Sequence, residues 1–367
     1  MKVLRAYKTE LDPNNRQRTF FRQCAGAARF VYNWALADRQ ERFKAGLKTS
    51  QYDQCKRFNA LKREFCPWIV ELPYAVAEKA FADLDAAYKN FFRRVKAGQT
   101  PGFPKFKSRK RNAAHFSLRG TKIESGRVRL TGIGWVRLKE HNYIPTEGEY
   151  GLRATISERA GRWYISILVE TEEADPVNES NDILGVDLGI KSLAVCSDGK
   201  TFENPRALDQ EKRKLDRLNR ELARRTRGGE NWNKTKRKLQ RCYQRLSNVR
   251  GHALHQVSHY VTAIAKPKVV VIEDLAVQNM QQNHKIARSL GDVALAELRR
   301  QIEYKAKWYG VQVLLASRWY PSSKTCSECG SVKPLLSLSE RTYVCPDCGC
   351  VIDRDLNAAK NLASLAA

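Results

Sequence analysis

Two Cys-x-x-Cys pairs, Cys326/Cys329 and Cys345/Cys348, separated by fifteen residues, constrain this chain more than any other feature. Each pair presents two sulfurs from one tight turn, and the glycines that follow, Gly330 and Gly349, permit that turn. Four thiolates suit tetrahedral Zn²⁺, and the spacing is that of a zinc ribbon. Cys350 is an alternative ligand, but the repeated Cys-x-x-Cys-Gly pattern selects Cys348. Four protein ligands leave no position open for water, so such an ion is structural rather than catalytic. The other cysteines (Cys24, Cys55, Cys66, Cys196 and Cys242) are expected to pack as small apolar residues.

The chain has 367 residues, which suggests two or three domains. Its 66 Lys+Arg against 39 Asp+Glu give a formal charge of +27. With 42% hydrophobic and 9% aromatic residues it is not a disordered tail. Its charge argues against an acidic small-molecule enzyme and for a polyanionic partner, nucleic acid before membrane. The first ten residues carry no apolar signal-peptide core. Apolar runs such as residues 269–272 are far shorter than the ~20 residues that span a bilayer. A soluble, cytoplasmic and nucleoid-associated protein is expected, with no membrane partner and a monomeric state.

Residues 3–7 read as a strand. Residues 15–95 are helical in pattern: Phe20, Phe21, Cys24, Ala27, Phe30, Val31, Trp34 and Ala35 recur at three- and four-residue steps. Pro73 marks a helix start before an apolar face that includes Val76, Ala80, Phe81, Leu84 and Tyr88. These aromatics read as core of a helical bundle. Short alternating segments at 127–130, 135–138, 152–156 and 163–169 read as an antiparallel β-barrel or sandwich. If the N-terminal strand joins it, the bundle is an insertion. A polar linker at 172–182 precedes an α/β pattern, with strands at 183–189, 192–197, 268–274 and 311–316 and helices at about 207–225, 232–265 and 292–309.

Three separated carboxylates form a second signal. Asp187 lies in the first of these strands, Glu273 ends the apolar run 268–272, and Asp355 opens the last helical segment. Hard divalent cations prefer carboxylate oxygens, and two ions can stabilise the attacking and leaving oxygens of a phosphodiester. Taken singly, each residue has a bland reading: Asp187 a turn cap, Glu273 a partner for a lysine, Asp355 a helix cap. The six histidines (His115, His141, His252, His255, His259 and His284) are scattered and form no rival cluster.

The third signal is charge placement. Residues 206–250 hold sixteen Lys/Arg and five Asp/Glu along an apolar stripe of Leu215, Leu218, Leu222, Leu239, Tyr243 and Leu246. Residues 101–123 contain no acid, and Phe103, Phe106 and Phe116 there suit either base stacking or packing. Candidate phosphate contacts are Lys105, Lys107, Arg109, Lys110 and Arg111 in the second patch, and Arg224, Arg225, Arg227, Lys234 and Lys236 in the first.

Taken together, Gly185-Val-Asp-Leu-Gly-Ile190, Val271-Ile-Glu-Asp-Leu275, Pro321-Ser-Ser-Lys-Thr-Cys-Ser-Glu-Cys-Gly330, Cys345-Pro-Asp-Cys-Gly349 and Asp353-Arg-Asp-Leu-Asn-Ala-Ala-Lys-Asn-Leu362 resemble the transposon-encoded TnpB proteins, relatives of type V CRISPR effectors. Arg29-Phe-Val-Tyr-Asn-Trp34 and Pro101-Gly-Phe-Pro-Lys-Phe-Lys107 extend the likeness to the N-terminal half.

The resemblance implies a multidomain α+β protein: a β-barrel with an inserted helical bundle, then a RuvC-like (RNase H-type) α/β nuclease domain with an inserted zinc ribbon. The expected boundaries are 1–10 for the first barrel strand, 11–97 for the helical insertion, 98–180 for the barrel, 181–325 for the nuclease domain, 326–350 for the ribbon and 351–367 for the end of the nuclease domain. It implies an RNA-guided DNA endonuclease that cuts target DNA beside a short recognition motif by two-metal hydrolysis. Asp187, Glu273 and Asp355 would hold two Mg²⁺ (or Mn²⁺) ions, and Cys326, Cys329, Cys345 and Cys348 one structural Zn²⁺. The partners would be a guide RNA from the transposon end and double-stranded target DNA. In Asp353-Arg-Asp355 only the second aspartate is expected to be a ligand. Rival readings are a non-cleaving RNA-guided repressor, which predicts a broken triad, and a guide-independent nuclease, which would not need the N-terminal domains.

Overall fold

Alternation in residues 2–12 produces β1 (Lys2–Asp12), whose Val3, Thr9 and Leu11 are buried. The computed structural model describes residues 2–110, 113–146, 149–284, 286–337 and 340–366, with the backbone alone at 149–152 and 278. Three helices follow β1: α1 (Asn15–Lys44), α2 (Gln51–Phe65) and α3 (Tyr74–Lys96). Asn14 caps α1 by accepting from the Gln17 amide, while the Gln17 side chain accepts from the Asn14 amide. Ser50 and Asp53 make the same reciprocal pair at α2. Of the expected core aromatics, Phe21 and Phe81 are buried and Phe20, Phe30, Trp34 and Tyr88 partly so; Phe21 packs on Phe116 and Trp163, and Trp34 on Phe58 and Phe81.

Six further strands complete one antiparallel sheet: β2 (His115–Leu118), β3 (Lys122–Glu124), β4 (Arg127–Leu130), β5 (Gly134–Leu138), β6 (Glu149–Arg159) and β7 (Arg162–Glu172). Their order is β2-β6-β7-β1-β5-β4-β3. The expected closed barrel is not formed among the described residues, for β2 and β3 are edge strands. They are only four and three residues long, and β1 meets β5 only at Leu11 and Asp12. Among the described residues the two ends of the sheet do not pair. The chain divides into two compact units between Glu173 and Ala174.

The second unit is built on a five-stranded sheet ordered β10-β9-β8-β11-β12. Its strands are β8 (Ile183–Asp187), β9 (Ser192–Cys196), β10 (Thr201–Glu203), β11 (Val269–Glu273) and β12 (Gln312–Ala316). β8, β11 and β12 run parallel, and β9 and β10 are antiparallel. Between the strands lie α4 (Ala207–Ala223), α5 (Glu230–His259), α6 (Val277–Met280), α7 (Ala287–Val293) and α8 (Leu295–Tyr309). The expected single helix at 292–309 is two helices, because Ala294 takes a left-handed conformation at φ +56°. The hairpin of α4 and α5 keeps Leu239 and Leu246 of the expected stripe but buries Cys242 in place of Tyr243, which is half exposed.

Strand periodicity divides this sheet's residues between two faces. Leu184, Val186, Val270 and Ile272 pack with Leu254, Val257, Leu298 and Ile302 of α5 and α8. Val271 packs on the other face with Leu362 of the last helix, α9 (Arg354–Ala363). Gly185 belongs to that second face. A Cβ there would stand 1.9 Å from the Ala359 carbonyl oxygen and 2.5 Å from the Ala363 nitrogen. Only glycine lets α9 lie this close to β8. Gly185→Ala should therefore push α9 away and destabilise the chain by about 1–3 kcal/mol, read as a lower midpoint in chemical denaturation. An unchanged midpoint would refute the close docking.

Candidate functional site

The face that Gly185 opens to α9 also carries the acids. Asp187 and Glu273 share parity with Gly185 and Val271, so both stand on the α9 side, at the C-terminal ends of adjacent parallel strands. They follow directly on the registered pair Val186↔Ile272. On α9, Asp355 is three, four and seven residues before Ala358, Ala359 and Leu362, which are fully buried. This spacing puts Asp355 on the sheet-facing side. Asp353 points elsewhere: its Oδ1 accepts from the amides of Asp355 (2.9 Å) and Leu356 (3.1 Å), capping the helix.

Burial, then the negative charges of Glu273 and Asp355, raise the Asp187 carboxyl to about 7, against the opposing pull of Arg354. Three acids held this way repel one another, a repulsion that a bound cation would relieve. Asp355 accepts from Arg354 Nε at 3.2 Å and Nη2 at 3.1 Å, and Arg341 lies 4.0 Å away. Among the described residues the group of potential ligands whose atoms lie close enough to share one ion is a cysteine quartet.

Cys326, Cys329, Cys345 and Cys348 bring their sulfurs within 4.8 Å of one another, with Cys326–Cys348 and Cys329–Cys345 both at 3.6 Å. Cys350 stands outside the quartet. The two knuckles are built alike. Gly330 and Gly349, at φ +75° and +73°, donate to the carbonyls of Cys326 and Cys345 at 3.0 and 3.1 Å. Strands β13 (Thr342–Val344) and β14 (Val351–Asp353) pair behind them, around the fully buried Tyr343. Burial raises the Cys326 thiol, but the backbone amides of Cys329 and Glu328 and the thiols of Cys348 and Cys329 together outweigh it and bring it down to about 6. A sulfur that ionises readily among three others is suited to a soft divalent ion.

The residues that join these two sites were not singled out from sequence. Asn357 and Asn361, one turn apart on α9, are buried. Asn357 Nδ2 donates to the Thr325 carbonyl at 2.6 Å, and its Oδ1 accepts from the Ser327 amide at 2.9 Å. Asn361 Nδ2 donates to the carbonyls of Ser322 (2.8 Å) and Thr325 (2.6 Å). Ser322, also buried, donates through Oγ to Glu273 Oε1 at 2.6 Å. Both asparagines stand within the Asp353–Leu362 motif. The available signal was the i, i+4 pairing of two short amides in a helix that otherwise buries only apolar residues. Trp319 gave no sequence signal either: it lines a cleft with Glu273, Asp274 and Arg318 and is 86% exposed.

The predicted phosphate contacts separate into two groups. Lys105, Arg109, Lys110, Arg224 and Arg227 are exposed and have no acidic partner among the described residues. Lys107 is packed, its ammonium 3.8 Å from the Tyr32 ring centre and its backbone amide bonded to Asn33 Oδ1. Arg225 pairs with Glu221, Lys234 with Glu230 at 3.0 Å, and Lys236 lies over Trp232. Arg111 lies outside the described residues. Of the three phenylalanines, Phe116 is buried, Phe103 packs edge-on against Tyr88 and Phe91, and Phe106 is half exposed.

Residues 166–284 match the model of the IS605 OrfB family, described as "Probable transposase". Residues 296–362 match a "Cas12f1-like, TNB domain", and residues 1–48 a "Helix-turn-helix domain". The chain is 35% identical to a protein of Escherichia coli (strain K12) named "Putative RNA-guided DNA endonuclease InsQ", over 99% of this chain and 92% of that one. It is 33% identical to a "Putative RNA-guided DNA endonuclease" of Streptomyces pristinaespiralis, over 100% and 90%. In fold it is similar to the protein in a cryo-EM structure of a Cas12f1–sgRNA–target DNA complex, with a TM-score of 0.57 at 16% identity, over 95% of this chain and 83% of that one.

Asn361→Ala would leave two carbonyls without their donor, and should lower stability by about 1–3 kcal/mol. Urea denaturation checks this, and an unchanged transition would mean that α9 and the 322–325 loop are held by other means.

Proposed function

This chain is a member of the TnpB family of transposon-encoded RNA-guided DNA endonucleases, and from that premise we propose that it cuts target DNA beside a short recognition motif, directed by a guide RNA derived from the transposon end. The observation that carries the nuclease reading is the turning of Asp355 toward a sheet face that already presents Asp187 and Glu273 at adjacent strand ends. Two Mg²⁺ or Mn²⁺ ions held by these acids would supply charge stabilisation to both oxygens of a phosphodiester displacement. The protein groups have separate tasks. Ser322 fixes one oxygen of Glu273 by donating to it, and the Asp353 cap sets the first turn of α9 from which Asp355 projects.

Zn²⁺ is assigned to Cys326, Cys329, Cys345 and Cys348, where it holds the ribbon folded and supplies no reacting group. Lys105, Arg109, Lys110, Arg224 and Arg227 are the phosphate contacts we retain. Guide pairing would select the sequence, while the protein grips backbone and duplex shape. In this reading residues 11–97 and 98–180 form the nucleic-acid-gripping part, 181–325 with 351–367 the nuclease domain, and 326–350 the ribbon. The working species is a monomer at the nucleoid. No helix among the described residues is long and apolar enough to cross a membrane.

Two aspartates test the site. Asp355→Asn should lose cutting by several orders of magnitude at an unaltered melting temperature, because metal-borne charge stabilisation amounts to several kcal/mol. Asp353→Asn should keep substantial cutting and lose at most ~1 kcal/mol of stability. Cleavage assays on purified protein, with and without EDTA, read both. The reverse order of the two mutants would move the third ligand to Asp353, and cutting that survives excess EDTA would remove the metal.

Cys329→Ser should release zinc, measured by elemental analysis, and lower the stability of the C-terminal region. A zinc-free wild type would overturn the assignment.

A further inference from the structure

We propose that Trp319 is a stacking platform for one unpaired base of the DNA strand being cut, and that it thereby orients the scissile phosphate at Glu273. The indole is 86% exposed, whereas tryptophan is on average a highly buried side chain. A single exposed aromatic needs no explanation of its own. This one lines a cleft of about 310 Å³ together with Glu273, the acid at the end of β11.

The cleft suits something flat and uncharged. One wall is Leu275, Ala276 and Met280, of which Leu275 and Met280 pack on the core shared with α5 and α8. Its charged groups are already paired. Arg318 Nη2 and Arg299 Nη1 donate to the two oxygens of Asp274 at 2.7 and 2.8 Å, and these bonds hold the Asp274 carboxyl below the usual carboxylate range. Glu273 accepts from Ser322. Two acids thus face two guanidiniums, so the cleft has no excess positive charge with which to grip a phosphate by itself. What it adds is an aromatic face beside an apolar wall, which matches the face of a nucleobase.

The indole is presented from a held backbone. The Trp319 amide donates to Ser317 Oγ at 3.4 Å, the Tyr320 amide to the Ser317 carbonyl at 2.9 Å, and the Ser322 amide to the Tyr320 carbonyl at 2.9 Å. On one side Arg318 is tied to Asp274. On the other, Tyr320 packs with Val271 and Leu362 and donates its hydroxyl to the Asn361 carbonyl at 3.1 Å. Both neighbours are committed to the protein, and the side chain between them is left in solvent. An indole on such a turn gives up little conformational freedom when a base stacks on it. Ser322, further along the same turn, fixes an oxygen of Glu273, so one short segment sets both the acid and the platform. A strand whose phosphate lies at Glu273 brings a neighbouring base to Trp319, and stacking would restrict the rotation of that nucleotide. The inference rests on the reading of Glu273 as a metal ligand and adds to it a contact with the base.

The test uses the full chain loaded with its guide RNA, and a DNA duplex that matches the guide. Single-turnover cutting is timed, and target affinity is measured separately in the Asp187→Ala background, where binding is read without cleavage. Trp319→Ala should slow cutting by roughly 10- to 100-fold, the usual contribution of one base–aromatic stack. Target affinity should be unchanged, because guide pairing supplies it. Trp319→Phe, which keeps an aromatic face, should recover most of the rate. Duplexes that lack one base at a time in the cut strand, with every phosphate kept, locate the partner. At one position the missing base should slow the parent by a similar factor and Trp319→Ala no further. Glu273→Gln in the same complex separates this inference from the reading beneath it. If Glu273→Gln is inactive while Trp319→Ala cuts at the parental rate, the stacking is refuted and the metal site stands. If Glu273→Gln still cuts, the reacting centre lies elsewhere and the inference falls with it. Equal losses in Trp319→Ala and Trp319→Phe, or losses that add at every abasic position, would trace the effect to packing and overturn the proposal.

Discussion

The second unit depends on how closely one short helix lies against one strand. α9 reaches β8 because Gly185 has no side chain, so the Ala359 carbonyl and the Ala363 amide of the helix backbone lie directly against it, with Ala358 and Ala359 buried. A larger residue on either surface would hold the helix axis further out. Since Asp355 projects from the first turn of that helix and Asp187 from the end of that strand, the helix-to-sheet spacing also sets the distance between two of the three acids. Packing and electrostatics are therefore one problem here. The contact that buries apolar surface is the same one that forces carboxylates together and raises Asp187.

Local features were legible in the sequence, and features that depend on distant pairing were less so. The quartet could be read because each knuckle needs only four residues and a glycine that takes positive φ. The choice of Cys348 over Cys350 followed from that repeat and agrees with the spacing of the sulfurs. The acids were weak signals one by one, since nothing local states that residues 187, 273 and 355 meet. Their shared face follows from the β8–β11 register and from α9 docking, both non-local. The closed barrel was over-read for the same reason. Alternation reports that a strand has one buried face, not whether the first and last strands pair. Among the described residues the sheet's two edge strands stay apart in its order.

Charge was legible in amount and less so in use. The α4–α5 hairpin is as basic as its composition states, yet Arg225 and Lys234 spend their charge on Glu221 and Glu230 one turn away. Lys107 is drawn inward to an aromatic ring, and burial lowers its pKa. What remains for an outside partner is decided by pairing, which depends on helix phase and on which acids lie within reach.

The loop between β12 and the first knuckle connects the two ion-binding candidates. It leaves the sheet at Ala316, donates Ser322 to Glu273, is gripped at Ser322 and Thr325 by Asn361 and at Thr325 and Ser327 by Asn357, and then enters Cys326. The chain returns from the second knuckle through β14 straight into the Asp353 cap and Asp355. A ribbon inserted at this point therefore has both of its ends tied to acids of the sheet face. This explains why a structural module sits between strand and helix rather than at a remote loop. An ion held by the quartet would fix the entrance and exit of the segment carrying Asp355, and Asn361, by holding Ser322, connects that segment to the Glu273 oxygen.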